Sequence, residues 1–332
     1  MRYLSRMESI SQFVLYGTGA LFAAAALKTV YVKAVRSDIL VDVSISPVLK
    51  QMRWPVHASH RGGSRAWPEN TMLAFRNAVG MTGGVGEVPR TQVIEFDVQK
   101  SRDNILVIMH DYNVATTTNG TGLISQLTLD EIKKLDAGYR FTTDEGLTYP
   151  YRGKGITVPT LEEVLSTFVP IKELLFYIDF KSPGAVADTL EVVKRFGIEE
   201  RIIMGAIPTD ANLEVRRLKP SCVPVTPDKN SMILMYAMYC LGLLWVVPMR
   251  FEIVGTTAHR WGFKVLTPGL VKAFHDRGRL LAVFGPHIDT PEGQLDCIRM
   301  GVDMLFTDRP DVLSVTLEGL AKEKESTNKA LS

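Results

Sequence analysis

The sequence is poor in cysteine and carries almost no net charge. Its three cysteines lie far apart, with no CxxC pair and no spacing typical of zinc ligands, which excludes a disulfide framework and favours a reducing compartment. The 38 basic residues nearly balance the 36 acidic ones, and the formal net charge is +2. Because such a chain has no basic field for nucleic acid, we expect no nucleic-acid partner.

Charge is missing altogether from an apolar run near the N-terminus, Ser9–Leu27. At about 1.5 Å rise per residue this run would span roughly 28 Å as a helix, close to the ~30 Å hydrocarbon core of a bilayer. The basic residues that flank it are Arg2, Arg6, Lys28, Lys33 and Arg36. A cleaved signal peptide is the alternative, but the run is long for one and no small-x-small cleavage site follows it. We therefore expect a single-pass anchor over residues 1–36, in an endomembrane, and a linker over 37–54.

After Trp54, strand-like apolar runs alternate with helical patterns. The runs are Val56–Ser59, Val93–Val98, Leu175–Phe180, Ile202–Ile207, Val223–Thr226, a stretch within Leu243–Ile253, Leu280–Phe284 and Met304–Thr307. About eight such strands in about 260 residues predict an α/β fold, a TIM (β/α)8 barrel over 55–315, with a polar tail over 316–332. An open doubly wound sheet is the alternative, and the absence of GxGxxG and GxxxxGK[ST] disfavours it.

One strand-like run carries two acids in its middle, where burial of a charge is costly. Glu95 and Asp97 lie two apart in IEFDVQK, and positions two apart on a strand share one face. A turn at residues 102–104 can fold Ile105–Met109 back as a hairpin, which would return His110 to the level of the two acids. Two carboxylates on one face suit a hard divalent cation, Mg²⁺ or Ca²⁺. The alternative is a solvent-facing edge strand with ordinary surface acids.

Two further strands end in groups suited to phosphate chemistry. The first ends in Ser59-His60-Arg61-Gly62-Gly63, a proton carrier beside a cation, with glycines that let an oxyanion approach the backbone. Another carries Asp179 and Lys181 on one face, so that one side chain can complete a metal site and the other can contact phosphate. These groups predict one catalytic pocket at the carboxyl end of the barrel.

The ordered motifs HRGG, PENT, EFD, HD and DFK resemble those of the glycerophosphodiester phosphodiesterase family. Residues 116–138, TTTNGTGLISQLTLDEIKKLDAG, are similar to the insertion that follows the HD motif in that family, here expected over 111–157. MGVDMLFTDRP, at 300–310, is similar to its closing strand, and the likeness runs from about His57 to Leu313. The N-terminal run and a second charge-free stretch, Ser231–Met249, make the chain most similar to the membrane-associated lysophospholipase D branch.

The resemblance implies a metal-dependent barrel in which His60 and His110 act as acid and base. The other implied site residues are Glu95, Asp97 and Asp179 as ligands of one divalent cation, and Arg61 and Lys181 as phosphate contacts. Asp179 stands where many relatives have Glu. The Trp-x-x-Asn motif common near the eighth strand is replaced by Ala282-Val283-Phe284-Gly285-Pro286-His287, which leaves His287 without an assigned role.

We expect an active phosphodiesterase that releases a head-group alcohol. Since two long stretches lack charge, the leading hypothesis is a lysophospholipase D, which gives lysophosphatidic acid from a lysophospholipid. The first alternative is a glycerophosphodiesterase that acts on water-soluble glycerophosphodiesters. Further alternatives are a phosphatidylinositol-type or sphingomyelin phospholipase and a catalytically inactive, membrane-tethered binding protein. The PENT motif counts against the phospholipase, and the retained histidines and acids count against the inactive binding protein.

Overall fold

A computed structural model describes residues 46–81, 91–260 and 262–331. The predicted anchor, Ser9–Leu27, and the first half of the predicted linker, residues 37–45, lie outside these residues. Within them, no helix has both the length and the apolar character needed to cross a bilayer.

A sheet of parallel strands forms the centre of the fold. The seven parallel strands are β1 (Val56–Ser59), β2 (Val93–Lys100), β4 (Leu175–Phe180), β5 (Ile202–Gly205), β6 (Ile253–Thr257), β9 (Leu280–Phe284) and β10 (Met304–Thr307). Hydrogen bonds join them in the order β5-β4-β2-β1-β10-β9-β6. Three short strands form hairpins, β3 (Leu106–Ile108) against β2, and β7 (His259–Arg260) against β8 (Phe263–Lys264). The predicted α/β class is therefore confirmed.

The extended segment 223–226 joins the two ends of this sheet. On one side the Met204 N–H donates to the Pro224 carbonyl at 3.0 Å, and the Thr226 N–H donates to the Met204 carbonyl at 3.1 Å. On the other side the Glu252 N–H donates to the Val225 carbonyl at 3.2 Å. With this segment, which the sequence predicts as a strand, eight extended stretches form a ring. Its pairing stays short because Pro224 has no N–H to donate.

Helices surround the ring. They are α1 (Pro47–Lys50), α2 (Met72–Ala78), α3 (Leu129–Lys133), α4 (Leu161–Phe168), α5 (Val186–Phe196), α6 (Thr209–Leu218), α7 (Lys229–Cys240), α8 (Pro268–His275), α9 (Pro291–Arg299) and α10 (Pro310–Leu331). The predicted capping box is present at the start of α4, where the Thr160 hydroxyl accepts from the Glu163 N–H and the Glu163 carboxylate accepts from the Thr160 N–H. α10 begins at Pro310 and runs through the predicted tail of 316–332 as far as Leu331.

Side chains alternate across each strand, as a strand between two layers requires. On β2, Ile94 and Phe96 point outwards into the main core between strands and helices, whereas Val93 points into the ring. The amino end of the ring is closed by α1, because Val48 and Leu49 pack in the same buried cluster as Val93. The last residues of the predicted linker 37–54 thus belong to the barrel; a four-residue helix is too short to show a period in sequence.

The hairpin after β2 forms as predicted, since β3 runs antiparallel to β2 with Val98 opposite Ile108. The segment that follows, within the predicted insertion, packs with β3 in a small separate core that includes Val107, Val114 and Ile124. The second charge-free stretch, Ser231–Met249, falls mostly on α7 and the turn after it, and it does not form a span.

Candidate active site

The three predicted acids meet inside the ring at its carboxyl end. Asp97 on β2 lies beside Asp179 on β4, and Glu95 lies one inward-facing position before Asp97. All three are buried, and one carboxylate oxygen of each lies within 4.8 Å of the others. Glu95 and Asp97 are therefore not surface acids of an edge strand.

A lysine ammonium group lies among these acids. The Lys181 Nζ donates to Asp97 Oδ1 at 2.7 Å and to Asp179 Oδ2 at 2.5 Å. Burial would raise the pKa of Asp97, but Lys181 and Arg61 outweigh it and lower that pKa to about 2. Burial and the neighbouring Asp97 raise the pKa of Glu95 to about 8. The single ammonium group of Lys181 therefore does not offset the negative charge of all three acids.

This donor set fits a divalent cation. It contains only carboxylate oxygens, which Mg²⁺ and Ca²⁺ prefer, and burial together with the neighbouring Asp97 disfavours the charged form of Glu95, which a bound cation would stabilise. Lys181 already stands where a cation would be attracted, between Asp97 and Asp179. The residues that would hold the ion are Glu95, Asp97 and Asp179.

His60 and Arg61 follow β1 in a tight loop. Arg61 adopts a left-handed conformation with φ of 52°, and its backbone N–H donates to Glu95 Oε2 at 2.5 Å. Gly62 has φ of 79°, and a Cβ there would lie 2.8 Å from the Phe75 ring, so only glycine fits. The His60 Nδ1 lies 2.6 Å from Asp308 Oδ1. Burial lowers the pKa of His60, but Glu95 and Asp308 together raise it to about 9.

The Arg61 guanidinium also lies within the acidic site. It pairs with Glu69 at 3.1 Å, and its Nε lies 3.6 Å from Asp97 Oδ2. That distance is too long for a hydrogen bond, and the buried Nε has no hydrogen-bond partner among the described residues. A cationic N–H without a partner, facing the acids, is available to an anionic oxygen.

His110 reaches the site from the hairpin. The Met109 N–H donates to the Asp97 carbonyl at 2.9 Å, which brings the next residue to the level of the acids. The His110 Nδ1 lies 2.7 Å from Asp111 Oδ1. The buried Gln99 amide donates to the carbonyls of residues 109, 110 and 111 at 2.8, 3.1 and 2.9 Å. Sequence reasoning missed Gln99, although it continues the inward-facing series of Glu95 and Asp97.

Asn70, the third residue of the PENT motif, is a second side chain whose contact the sequence did not predict. Its Nδ2 donates to Asp97 Oδ2 at 2.7 Å, and its Oδ1 accepts from the Asp97 N–H at 3.3 Å. It has a φ of 55°, a conformation that Asn tolerates better than most residues. Asn70 thus fixes the carboxylate of Asp97.

One cavity of about 240 Å³ joins these groups. All seven predicted site residues line it: His60, Arg61, Glu95, Asp97, His110, Asp179 and Lys181. Its other walls are largely apolar and include Ile207, Met232 and Phe284. His287 is not among the lining residues; its ring packs edge-on against His259 with the centroids 5.5 Å apart. The altered eighth-strand motif therefore contributes Phe284 to the cavity.

The arrangement can perform acid–base chemistry on an anionic group. Both histidines are held at Nδ1, which leaves each Nε2 available for proton transfer. Two cationic side chains and a candidate metal site line the same cavity, which is the charge distribution that a phosphoryl group requires.

Known proteins resemble this chain along most of its length. Glycerophosphodiester phosphodiesterases from Caldanaerobacter subterraneus subsp. tengcongensis and Bacillus subtilis are each 32% identical to it, over 77% and 79% of this chain and over 94% and 86% of their own length. Among solved structures, the glycerophosphoryl diester phosphodiesterase domain of an uncharacterised Mycobacterium tuberculosis protein matches with a TM-score of 0.66 at 22% identity, covering 80% of this chain and 99% of that domain. An Oleispira antarctica phosphodiesterase, solved with the product sn-glycerol-3-phosphate, matches with a TM-score of 0.61 at 22% identity, covering 80% of this chain and 97% of that one. These two structures support the fold.

Residues 60–312 match the Glycerophosphoryl diester phosphodiesterase family. That range begins at His60 and contains every predicted site residue. The chain belongs to this family and is a phosphoric diester hydrolase.

Proposed function

We propose that this chain hydrolyses glycerophosphodiesters to glycerol 3-phosphate and an alcohol. The observation that carries the proposal is the single cavity in which two histidines, three acids and two cations meet. The relatives at 32% identity are named for the same activity, which supports this substrate class.

In the proposed reaction, water attacks phosphorus and the bond between phosphorus and the leaving alkoxide oxygen breaks. One histidine Nε2 accepts the proton of the attacking water, and the other donates a proton to the departing oxygen. Arg61 and Lys181 offset the negative charge that develops on the phosphoryl oxygens. A divalent cation, when bound by Glu95, Asp97 and Asp179, supplies Lewis-acid polarisation of the phosphoryl group.

The test is release of glycerol 3-phosphate from glycerophosphocholine and glycerophosphoethanolamine by the full chain. We expect turnover that EDTA abolishes and that added Mg²⁺ or Ca²⁺ restores. Absence of turnover on every soluble diester tried, with either cation present, would contradict the proposal.

A lysophospholipid is the second candidate substrate. The apolar cavity wall formed by Ile207, Met232 and Phe284 favours it, and α7, which carries Met232, exposes Ile233 and Leu234 to solvent at 43% and 54%. The names of the relatives favour the soluble diester instead. The comparison to make is kcat/KM for lysophosphatidylcholine against glycerophosphocholine on the full chain. A tenfold higher kcat/KM for one substrate, about 1.4 kcal/mol of transition-state free energy, identifies that substrate as the preferred one.

We further propose that Ser9–Leu27 anchors the chain in an endomembrane. Its length and lack of charge support this. Alkaline carbonate extraction of cells expressing the full chain tests it: an anchored chain stays in the membrane pellet, and recovery in the supernatant would contradict the proposal.

A further inference from the structure

His60 and Asp308 are brought together by the pairing of the first and last strands. β1 and β10 run in parallel with Ser59 opposite Thr307, so that the next residues of both strands, His60 and Asp308, leave the ring at the same height. The His60 Nδ1 lies 2.6 Å from Asp308 Oδ1. At this distance the two side chains share a hydrogen bond, and an ionised carboxylate can only accept it.

Asp308 is held in turn by its own neighbours. The Ser64 hydroxyl donates to the same Oδ1 at 2.6 Å, and the backbone N–H of Asp308 donates to Asp289 Oδ1 at 2.9 Å. The buried Asp289 also accepts from the Thr307 hydroxyl at 3.0 Å. Ser64 thus holds the carboxylate that meets His60, and Asp289 holds the backbone of the same residue.

We propose that Asp308 is a positioning residue for His60. It keeps the hydrogen of the neutral imidazole on Nδ1 and turns Nε2 towards the cavity, which is the orientation needed for proton transfer to or from a phosphodiester. Ser64 and Asp289 support Asp308 in this role. The inference rests on the proposed phosphodiesterase function, and it adds residues that the motif comparison did not assign.

The same fold contains a matched control at the opposite end of the ring. His275 Nε2 lies 2.7 Å from Asp303 Oδ2, and Asp303 lies at the start of β10, one residue before Met304. This pair has a contact distance similar to that of His60 and Asp308, although it uses Nε2 of a more exposed ring, and neither residue lines the cavity. A substitution at Asp303 therefore tests whether loss of a His–Asp contact away from the cavity is enough to impair the enzyme.

The kinetic experiment compares Asp308→Asn, Ser64→Ala and Asp303→Asn in the metal-loaded full chain. We expect Asp308→Asn to lower kcat by about 10²–10³-fold while KM changes less than about twofold, because proton transfer and not binding is impaired. Ser64→Ala should lower kcat by about 3–10-fold, and Asp303→Asn should leave it unchanged. Metal content per chain should equal that of the wild type in all three. A kcat of Asp308→Asn within threefold of the wild type, or a loss explained by missing metal, would overturn the proposal.

The tautomer can be measured without any turnover. Nitrogen-15 NMR of the imidazole groups at a pH where His60 is neutral should show the hydrogen on Nδ1 in the wild type and on Nε2 in Asp308→Asn. A wild-type His60 with its hydrogen on Nε2 refutes the inference, even where Asp308→Asn does not fold. If the wild type cleaves no phosphodiester, the proposed function fails while the tautomer measurement still decides the role of Asp308.

Discussion

The two ends of the barrel are built from the same strands but from opposite kinds of side chain. At the amino end, Val93 on β2 and Leu175 on β4 are buried with Leu49 of α1 in one apolar cluster. Four residues further along each strand are Asp97 and Asp179, which are almost as buried. Apolar burial stabilises the fold, whereas burial of carboxylates costs stability unless cations pair them. Stability and chemistry are thus separated along each strand.

At the carboxyl end, the cationic side chains offset only part of the negative charge of the acids. Asp97 has Lys181 and Asn70 as partners, but within the described residues the Glu95 carboxylate accepts a hydrogen bond only from the Arg61 N–H, and its pKa is raised to about 8. Near neutral pH this acid destabilises the chain without metal. Measurements of activity and stability on the same variants therefore distinguish the two ends.

The largest effect is expected from Glu95→Gln. Loss of a metal ligand should lower kcat by about 10³-fold or more. Because the pKa of Glu95 is about 8 when folded and about 4.5 when unfolded, the folded acid binds a proton more tightly, and stability falls as pH rises from about 4.5 to 8. The metal-free variant at pH 7 should therefore be more stable than the wild type, by on the order of 1–3 kcal/mol.

Urea denaturation in EDTA, with kcat measured in parallel, checks this prediction. Saturating metal should remove the stability gain, since the ion compensates Glu95 in the wild type. A metal-free Glu95→Gln variant less stable than the wild type would contradict the account of this end.

His60→Ala and His110→Ala should each lower kcat by roughly 10²–10⁴-fold while the chain remains folded. Both rings are part-exposed at the cavity, so their removal leaves the core intact. Steady-state kinetics and thermal melts of the two variants are the measurements. Near-wild-type turnover in either variant would remove that histidine from the mechanism.

At the amino end the expected pattern is reversed. Leu49→Ala should cost about 2–5 kcal/mol of unfolding free energy, because Leu49 is 3% exposed within a packed apolar cluster. Its kcat at 25 °C should equal that of the wild type, since the cluster lies away from the acids. Lys50→Ala, on the exposed side of the same helix, is the control and should change neither quantity. If Leu49→Ala loses more kcat than its unfolded fraction accounts for, the two ends are coupled.

The smallest effect concerns His57, which lies on the outer face of β1. It is 2% exposed, and its Nε2 has no hydrogen-bond partner among the described residues. Burial lowers the pKa of His57 to about 3, although the negative charge of Asp311 acts to raise it. Between about pH 6.5 and 3 the unfolded chain binds a proton that the folded chain does not, so stability falls as pH falls.

His57→Leu should remove this dependence, about 2 kcal/mol at pH 5 relative to pH 7.5. The matched control is the exposed His259→Leu, which should keep the wild-type slope. The measurement is the free energy of unfolding at both pH values. An equal change with pH in the wild type and in His57→Leu would contradict the assignment of this pH dependence to His57.

The sequence predicted what local patterns encode. Period-two spacing placed Glu95 and Asp97 on one face, and the turn at residues 102–104 predicted the hairpin that brings His110 back. The contact of His60 with Asp308 could not be predicted in the same way, because it depends on the register of strands at opposite ends of the chain. The roles of Asn70 and Gln99 in the site were missed for a similar reason: each side chain acts on a neighbour in space.

The most direct test of the central claim, that Glu95, Asp97 and Asp179 form one divalent-cation site, is calorimetric titration of Mg²⁺ and Ca²⁺ into the metal-free full chain and into Asp179→Asn. One cation should bind per wild-type chain, with release of protons near pH 7 because the ion displaces the proton that Glu95 retains. Asp179→Asn should bind at least tenfold more weakly. Equal affinity in both chains, or no binding of either ion to the wild type, would contradict the account.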